Sequence, residues 1–316
     1  QSGIDAVVAG GTVNVLNGTY TISSGYISIG KSLNLIGQSE AGVIIDAHAA
    51  SSYGIRVIGG TDDVTLENFT LYGVAASGGY GVKAEDMTNL DIENVTSQGA
   101  YKAQFDLNGV RGGTLENVTA NGNAGAFGGA GSTKGAAIAI TDSQDILVAN
   151  STIIGGSYGG IGIYQSNKPS GYSYQTDNVT IESSNLFDEN GAAHYNYVYT
   201  EDESATHDFG TLTIDGFDAV AGVDSNPADT FKFFQHSVGD AEAYLNATGG
   251  ISVGYVEGWT GSAGDNNFSV DTVGGNAMSI QAAINAAAAG ATINVGAGTY
   301  TDALNIGKNV DIEGAG

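Results

Sequence analysis

The amino-acid sequence predicts an all-β parallel solenoid, a coil of short strands stacked rung upon rung, and three observations carry that expectation. A phrase of alternating apolar and polar residues ending in Asn recurs as Val64-Thr65-Leu66-Glu67-Asn68, Leu90-Asp91-Ile92-Glu93-Asn94, Thr114-Leu115-Glu116-Asn117 and Ile146-Leu147-Val148-Ala149-Asn150. Its Asn residues are spaced by 26, 23 and 33 positions, the length of one rung in a solenoid repeat. Of 316 residues 50 are Gly and only 2 are Pro, while 41% are hydrophobic. Many short strands joined by tight turns satisfy both facts, and a helical protein would not tolerate so much Gly.

The elements follow in chain order. Residues Gln1 to Gly10 stand where a capping helix belongs, but Gly3, Val7 and Val8 are weak helix formers, so a degenerate cap is expected. From about Ile27 to Leu186 short alternating strands are separated by Gly, Asn, Asp and Ser, the punctuation of tight turns. In each phrase Val, Leu and Ile point inward and stack on the next rung, while Thr, Glu and Asp meet solvent. The closing Asn turns the corner in a left-handed backbone conformation, and its amide can bond the amide one rung away. Between the phrases lie second strands, among them Tyr53-Gly54-Ile55-Arg56-Val57-Ile58, Tyr80-Gly81-Val82-Lys83-Ala84, Ala136 to Ile140 and Gly160 to Tyr164. Residues 187 to 278 break the rhythm, with an aromatic and acidic stretch from Tyr195 to Glu203 and strands expected at Leu212 to Asp215 and Phe231 to Phe234. Ser279 to Gly290 is Ala-rich with Ile280 and Ile284 on one face, which predicts a short helix with Ser279 as N-cap and Gly290 as its stop. Ala291 to Val295 and Val310 to Glu313 then read as the first strands of a new coil.

That last segment repeats the first. Gln1, Ile4, Ala6, Ala9, Gly10, Thr12, Asn14, Val15 and Gly18-Thr19-Tyr20-Thr21 return as Gln281, Ile284, Ala286, Ala289, Gly290, Thr292, Asn294, Val295 and Gly298-Thr299-Tyr300-Thr301, at a constant shift of 280. After a three-residue contraction Ile29-Gly30-Lys31 and Gly37 return as Ile306-Gly307-Lys308 and Gly314. Composition bias alone does not produce such a match, and it points to one full unit followed by the opening of another.

The pattern resembles the right-handed parallel β-helix superfamily, the pectate-lyase-like proteins, over most of residues 1 to 245. Within that superfamily it is closer to tandem β-helix repeat surface proteins than to a catalytic family. The resemblance implies a right-handed parallel β-helix over 1–245, about ten rungs and on the order of 50 Å long at the usual strand spacing. An irregular Gly-rich connection over 246–278 and the start of a second β-helix over 279–316, with its capping helix near 280–290, complete the expected division. The Gly-His-Gly and Arg-Ile-Lys runs of polygalacturonase relatives and the Trp-Ile-Asp-His run of pectate lyases are absent. Asp62-Asp63 is expected in a turn before a strand, not as a hydrolase dyad.

Charge and composition narrow the function. A net charge of -25, from 34 acids against 9 bases, makes nucleic acid and anionic membranes poor partners. There is no Cys, hence no disulfide or thiolate metal site, and no apolar run reaches the roughly 18 residues that span a bilayer. Gln1 does not begin a secretory leader, and an upstream segment, processed or missing, is expected. The catalytic candidates, for a lyase that takes the proton beside a uronic carboxylate, are Lys102, Arg111, His194, Tyr197 and His207; Lys102 and Arg111 would share one face if their rungs were adjacent. Asp188, Glu189, Glu201, Asp202, Glu203 and Asp208 supply hard oxygen ligands suited to calcium, without an EF-hand or nonapeptide spacing. Tyr172, Tyr174, Tyr195 and Tyr197 are candidates for stacking on sugar rings. The Asn-x-Ser/Thr sequons at Asn17, Asn68, Asn94, Asn117, Asn150, Asn178, Asn246 and Asn267 read as glycosylation acceptors elsewhere, but at Asn68, Asn94, Asn117 and Asn150 a β-helix corner itself requires Asn.

The sequence therefore favours a non-enzymatic structural or adhesive module, extracellular or on the cell surface, assembled in tandem or end to end into a fibre or surface layer. Its partners would be copies of itself or adjacent repeat units, and glycans, with Gln281, Ile284, Ile293, Val295, Ile306, Val310 and Ile312 as the assembly residues. The alternatives are a polysaccharide lyase or epimerase-like enzyme and a carbohydrate-binding surface module. A groove clustering bases with acids would mark the enzyme, and coplanar exposed Tyr rings the carbohydrate binder.

Overall fold

A computed structural model describes residues 1–122, 135–154, 159–165, 175–182 and 184–187, Ile284 and 303–314, together with the strand backbone at 196–202, 212–215, 218–219, 230–236, 255–260, 266–271 and 292–295. Alternation in the repeated phrase places every second side chain inside one coil, and the coil is a right-handed parallel β-helix of three sheets. The first sheet stacks Gly11–Val15, Leu33–Gly37, parts of Asp62–Tyr72, Tyr80–Gln98 and Phe105–Glu116, then Gln144–Ala149, Asp177–Glu182 and Leu212–Asp215. The second runs from Gly18–Thr21 to Asp218–Ala219 and the third from Ile27–Ile29 to Thr230–His236. Among the described residues each sheet has eight parallel strands, about 34 Å of coil at ~4.8 Å per step, where about ten rungs were expected. The difference lies in rung length. Val64, Leu90 and Gly113 are in register, but so are Gly113, Ile146, Val179 and Leu212, so the later rungs consume 33 residues each.

The core is the sum of these registers. Leu35, Leu66, Ile92, Leu115, Val148 and Ile181 form one inward column, and Ile55, Val82, Phe105, Ile138, Ile161 and Val198 another, all buried. Each such side chain contributes roughly 1.5–3 kcal/mol of burial. The corners are columns too. Asn68, Asn94, Asn117 and Asn150 turn from the first sheet to the second with φ between 50° and 60°, the left-handed region that Asn tolerates best after Gly. Asp63, Asn89, Asp145 and Asn178 repeat the device where the first sheet begins.

Several expectations are corrected in detail. Three of the four Asn amides of the first corner bond carboxylates: Asn68 Nδ2 donates to Glu67 Oε1 at 2.7 Å, Asn94 to Glu93 at 3.2 Å and Asn150 to Glu116 of the preceding rung at 3.3 Å. A charged acceptor, adjacent in sequence for Asn68 and Asn94 and one rung away for Asn150, makes a stronger bond than a neutral amide. Asp62 opens the strand itself, and Asp62 and Asp63 accept from Thr88 Oγ1 and Asn89 Nδ2 one rung on. The segment expected as an irregular connection contains Tyr255–Thr260 and Asn266–Asp271, which pair antiparallel with each other, and Asn266–Asp271 also lies antiparallel on Thr230–His236.

The N-terminal end carries the degenerate cap. Ser2–Ala6 forms a five-residue helix whose Ile4 is buried. The Ala-rich helix expected near 280–290 lies outside the described residues except for Ile284, which is helical and 1% exposed.

Candidate functional site

The densest polar constellation among the described residues lies on the outer face of the third sheet. The strands Tyr53–Val57 and Tyr80–Gln98 open with the same phrase, Tyr-Gly-apolar-cation, in register: Tyr53 faces Tyr80, Arg56 faces Lys83, and Lys83 in turn faces Asp106. Strand alternation points Ile55, Val57, Val82 and Ala84 inward and leaves the cations outside. The rings of Tyr53 and Tyr80 stack at 5.8 Å and 24°, with Tyr26 edge-on to Tyr53 at 5.3 Å. Arg56 lies 5.2 Å over Tyr53, and Lys83 and Lys102 lie 4.9 and 5.2 Å over Tyr80. Arg56 Nε donates to Glu85 Oε2 at 2.7 Å, Lys83 Nζ to Asp106 Oδ2 at 2.6 Å, and Asn108 Nδ2 to Asp106 Oδ1 at 2.7 Å. Lys83 is 8% and Asp106 5% exposed, so this is a buried ion pair on the outside of a sheet.

The electrostatics tell what such a cluster can do. Burial works to lower the Lys83 pKa, but the charge and hydrogen bond of Asp106 outweigh it and hold Lys83 above its ordinary value. Burial, reinforced by Asp106 and opposed by Lys83, pushes the Tyr80 phenol up to about 12. The hydrogen bond that Arg56 donates to Tyr26, with Glu85, raises Arg56 against its own burial. Lys83 and Tyr80 are therefore protonated at neutral pH and unsuited to abstract a proton. The Tyr rings stack on one another and lie under cations, so they do not form the coplanar platform a sugar ring would need. The arrangement clamps adjacent rungs together from outside.

Of the catalytic candidates, Lys102 joins this cluster, donating to the Tyr80 hydroxyl at 3.2 Å. Arg111 does not. It lies in the first sheet, opposite Thr88 and Gln144, because the strand turns a corner at Gly109, φ 65°, between the two faces. His194, His207, Asp188, Glu189, Glu203, Asp208, Tyr172, Tyr174 and Tyr195 lie outside the described residues. The backbone of Tyr197, Glu201 and Asp202 is on the strand Asn196–Asp202, with Glu201 opposite Tyr164 and Asp202 opposite Gln165; their side chains lie outside the described set. Among the described residues no group of three or more His, Asp or Glu is placed to hold a metal ion.

A shallow groove of about 380 Å³ runs along the first sheet, lined by Asp63, Thr65, Asn89, Asp91, Thr114 and Asp145 among others. Burial, and then the neighbouring Glu93 and Glu116, raise the Asp91 pKa. No base lines this groove, so its field repels a polyuronate.

The second functional feature is the cap and its return. Ser28 N donates to Gln1 Oε1 at 2.8 Å and Gln1 Nε2 donates to Ser28 O at 3.2 Å, so one side-chain amide pairs with the outer edge of the first strand of the third sheet. Lys31 Nζ donates to the carbonyls of Asp5 and Val7 at the end of the helix. In the first rung Thr12, Val13, Asn14 and Val15 face Asn34, Leu35, Ile36 and Gly37. Thr292, Ile293, Asn294 and Val295 face Asp311, Ile312, Glu313 and Gly314, the same register carried over the two shifts of the repeat. Of the expected assembly residues, Ile293 and Val295 are on that strand pair, Ile284 is buried, Val310 and Ile312 are half-buried, and Ile306 is 53% exposed. Gln281 lies outside the described residues.

Sequence reasoning missed Arg56, Glu85, Lys83 and Asp106. The signal was present in the doubled Tyr-Gly-apolar-cation phrase, whose spacing of 27 residues is within one of the 26 that separate Asn68 from Asn94.

A family model described as the right handed beta helix region matches residues 53–214. None of the curated proteins matches the sequence. Similar solved structures include the ORF18 protein of Geobacillus virus E2, at 11% identity and TM-score 0.47, covering 73% of this chain and 56% of that one. A Parabacteroides merdae ATCC 43184 protein provisionally described as a glycosyl hydrolase is 15% identical over 61% of this chain and 81% of its own, with TM-score 0.36. The A-module of an Azotobacter vinelandii mannuronan C-5 epimerase is 16% identical over 73% and 94%, with TM-score 0.27. The chain thus spans little more than half of the viral protein it resembles.

Proposed function

The chain belongs to the right-handed β-helix family, and from that premise we propose that it is an extracellular structural or adhesive module, one unit of a tandem array. The observation that carries this is the return of the first rung in the same register at Thr292–Val295 and Asp311–Gly314. The returning Gly314 supports it further. A Cβ at its counterpart Gly37 would stand 1.8 Å from the carbonyl oxygen of Asn68 in the following rung, so glycine is retained where a following rung with an Asn corner presses close. Residues 1–245 are then the body of one unit and 279–316 the opening of the next, and adjacent units are the module's natural partners.

The alternative, a lyase or epimerase, asks for a base that loses its proton near neutrality and a groove that attracts polyuronate. Lys83 and Tyr80 are held protonated and the groove on the first sheet is acidic, which favours the structural reading. Electron microscopy of the native material tests it. Evenly spaced β-helical units along one surface-exposed polypeptide are expected; a single discrete β-helix that degrades a polysaccharide overturns the proposal.

A further inference from the structure

We infer that successive units are closed beads, each with its own lid, and that the junction between them is not a continuous hydrogen-bonded stack of rungs. The inference rests on the tandem reading and adds to it how one unit meets the next. Three observations converge. The outer edge of Thr230–His236, the last strand of the third sheet among the described residues, is taken by the antiparallel strand Asn266–Asp271, and a following parallel rung cannot use an edge already filled. The strand Thr292–Val295 pairs only with Asp311–Gly314 among the described residues, in a sheet separate from the main one.

The third observation is which residues return. At the start of the first unit Ile4 fills the end of the core, Gln1 satisfies the exposed edge at Ser28, and Lys31 holds the last carbonyls of the helix. These are lid functions, needed only where a coil begins. All three residues recur, as Ile284, Gln281 and Lys308, and Ile284 is helical and buried like Ile4. A chain whose rungs ran on without interruption would have no use for a second edge-closing amide or a second plug. By the same correspondence Asn305 is the counterpart of Ser28.

Amide hydrogen exchange on the intact chain tests this. In the parent protein the hydrogen-bonded amides of 292–295 and 311–314 should be protected. Ile284→Asn should release that protection by roughly tenfold or more, as loss of a buried apolar group implies, while 196–202 and 230–236 stay unchanged. Ile4→Asn should act on 11–37 and leave 292–314 unchanged. The milder Gln281→Ala should speed exchange at Asn305 without unfolding either unit. Loss of protection spreading from Ile284→Asn into 230–236, absence of any protection at 292–314 in the parent, or an unmoved Asn305 in Gln281→Ala would each overturn the inference. Evenly spaced units seen by microscopy would still stand after any of those results, so the tandem proposal fails or survives separately.

Discussion

Replacing Asp106 by Ala would strand the Lys83 ammonium in a setting from which water is largely excluded. Lys83 is 8% exposed, its bond to Asp106 is 2.6 Å long, and the remaining carboxylate, Glu85, is 3.9 Å away and already engaged by Arg56. Removing one partner of a buried pair costs about 3–5 kcal/mol. Glu85 offsets part of that, so a loss near 3 kcal/mol is expected, or roughly a hundredfold in the local opening constant. Urea unfolding followed by circular dichroism, with hydrogen exchange at Val82 and Phe105, measures both quantities. The double replacement Lys83→Met and Asp106→Leu removes both charges and should return to within about 1 kcal/mol of the parent. An Asp106→Ala variant that loses less than about 1 kcal/mol, or a double variant as unstable as the single, would refute the view that this pair is buried and mutually dependent.

Two further outcomes are expected. Stability should hold up to about pH 10 and decline above it: the unfolded chain releases the Tyr80 proton near 10.0 while the folded protein keeps it until about 12, and the support from charged Lys83, complete below 10.5, is lost as pH rises through its raised folded value. Screening at the partly exposed Tyr80 keeps its share modest, and Tyr80→Phe should flatten part of the decline in urea midpoints measured across that range. At the corner, Asn94 sits at φ 53°, so Asn94→Val should cost about 1–2 kcal/mol in the same assay while Asn94→Gly stays within about 1 kcal/mol.

The coil, its corners and the repeat were legible because each is periodic. Leu66, Ile92 and Leu115 announce an inward column by recurring in phase, and Asn68, Asn94 and Asn117 announce a left-handed corner by residue type. The partners of those Asn side chains were not legible, since Asn68 and Asn94 bond the Glu before them while Asn150, which follows Ala149, bonds Glu116 of another rung. The Lys83–Asp106 pair was hidden differently. Each residue alone is an ordinary outward charge on a strand, and their meeting depends on a register that composition does not state. Lys102 and Arg111 are nine positions apart, yet the turn at Gly109 sends them to different sheets. The antiparallel strands at 255–260 and 266–271 share no period with the rungs, which is why a Gly-rich connection was expected in their place.

The one-residue corner between the first and second sheets has a consequence for how such a unit can vary. Asn68, Asn94, Asn117 and Asn150 leave no room for insertion at that edge, yet the rungs between these corners range from 23 to 33 residues. All of that difference is absorbed at the other two edges. The outline of a unit can therefore change, by a loop lengthened or lost, without altering its pitch or the angle at which the next rung sets out. Dissimilar units can be strung on one chain and still keep a common spacing.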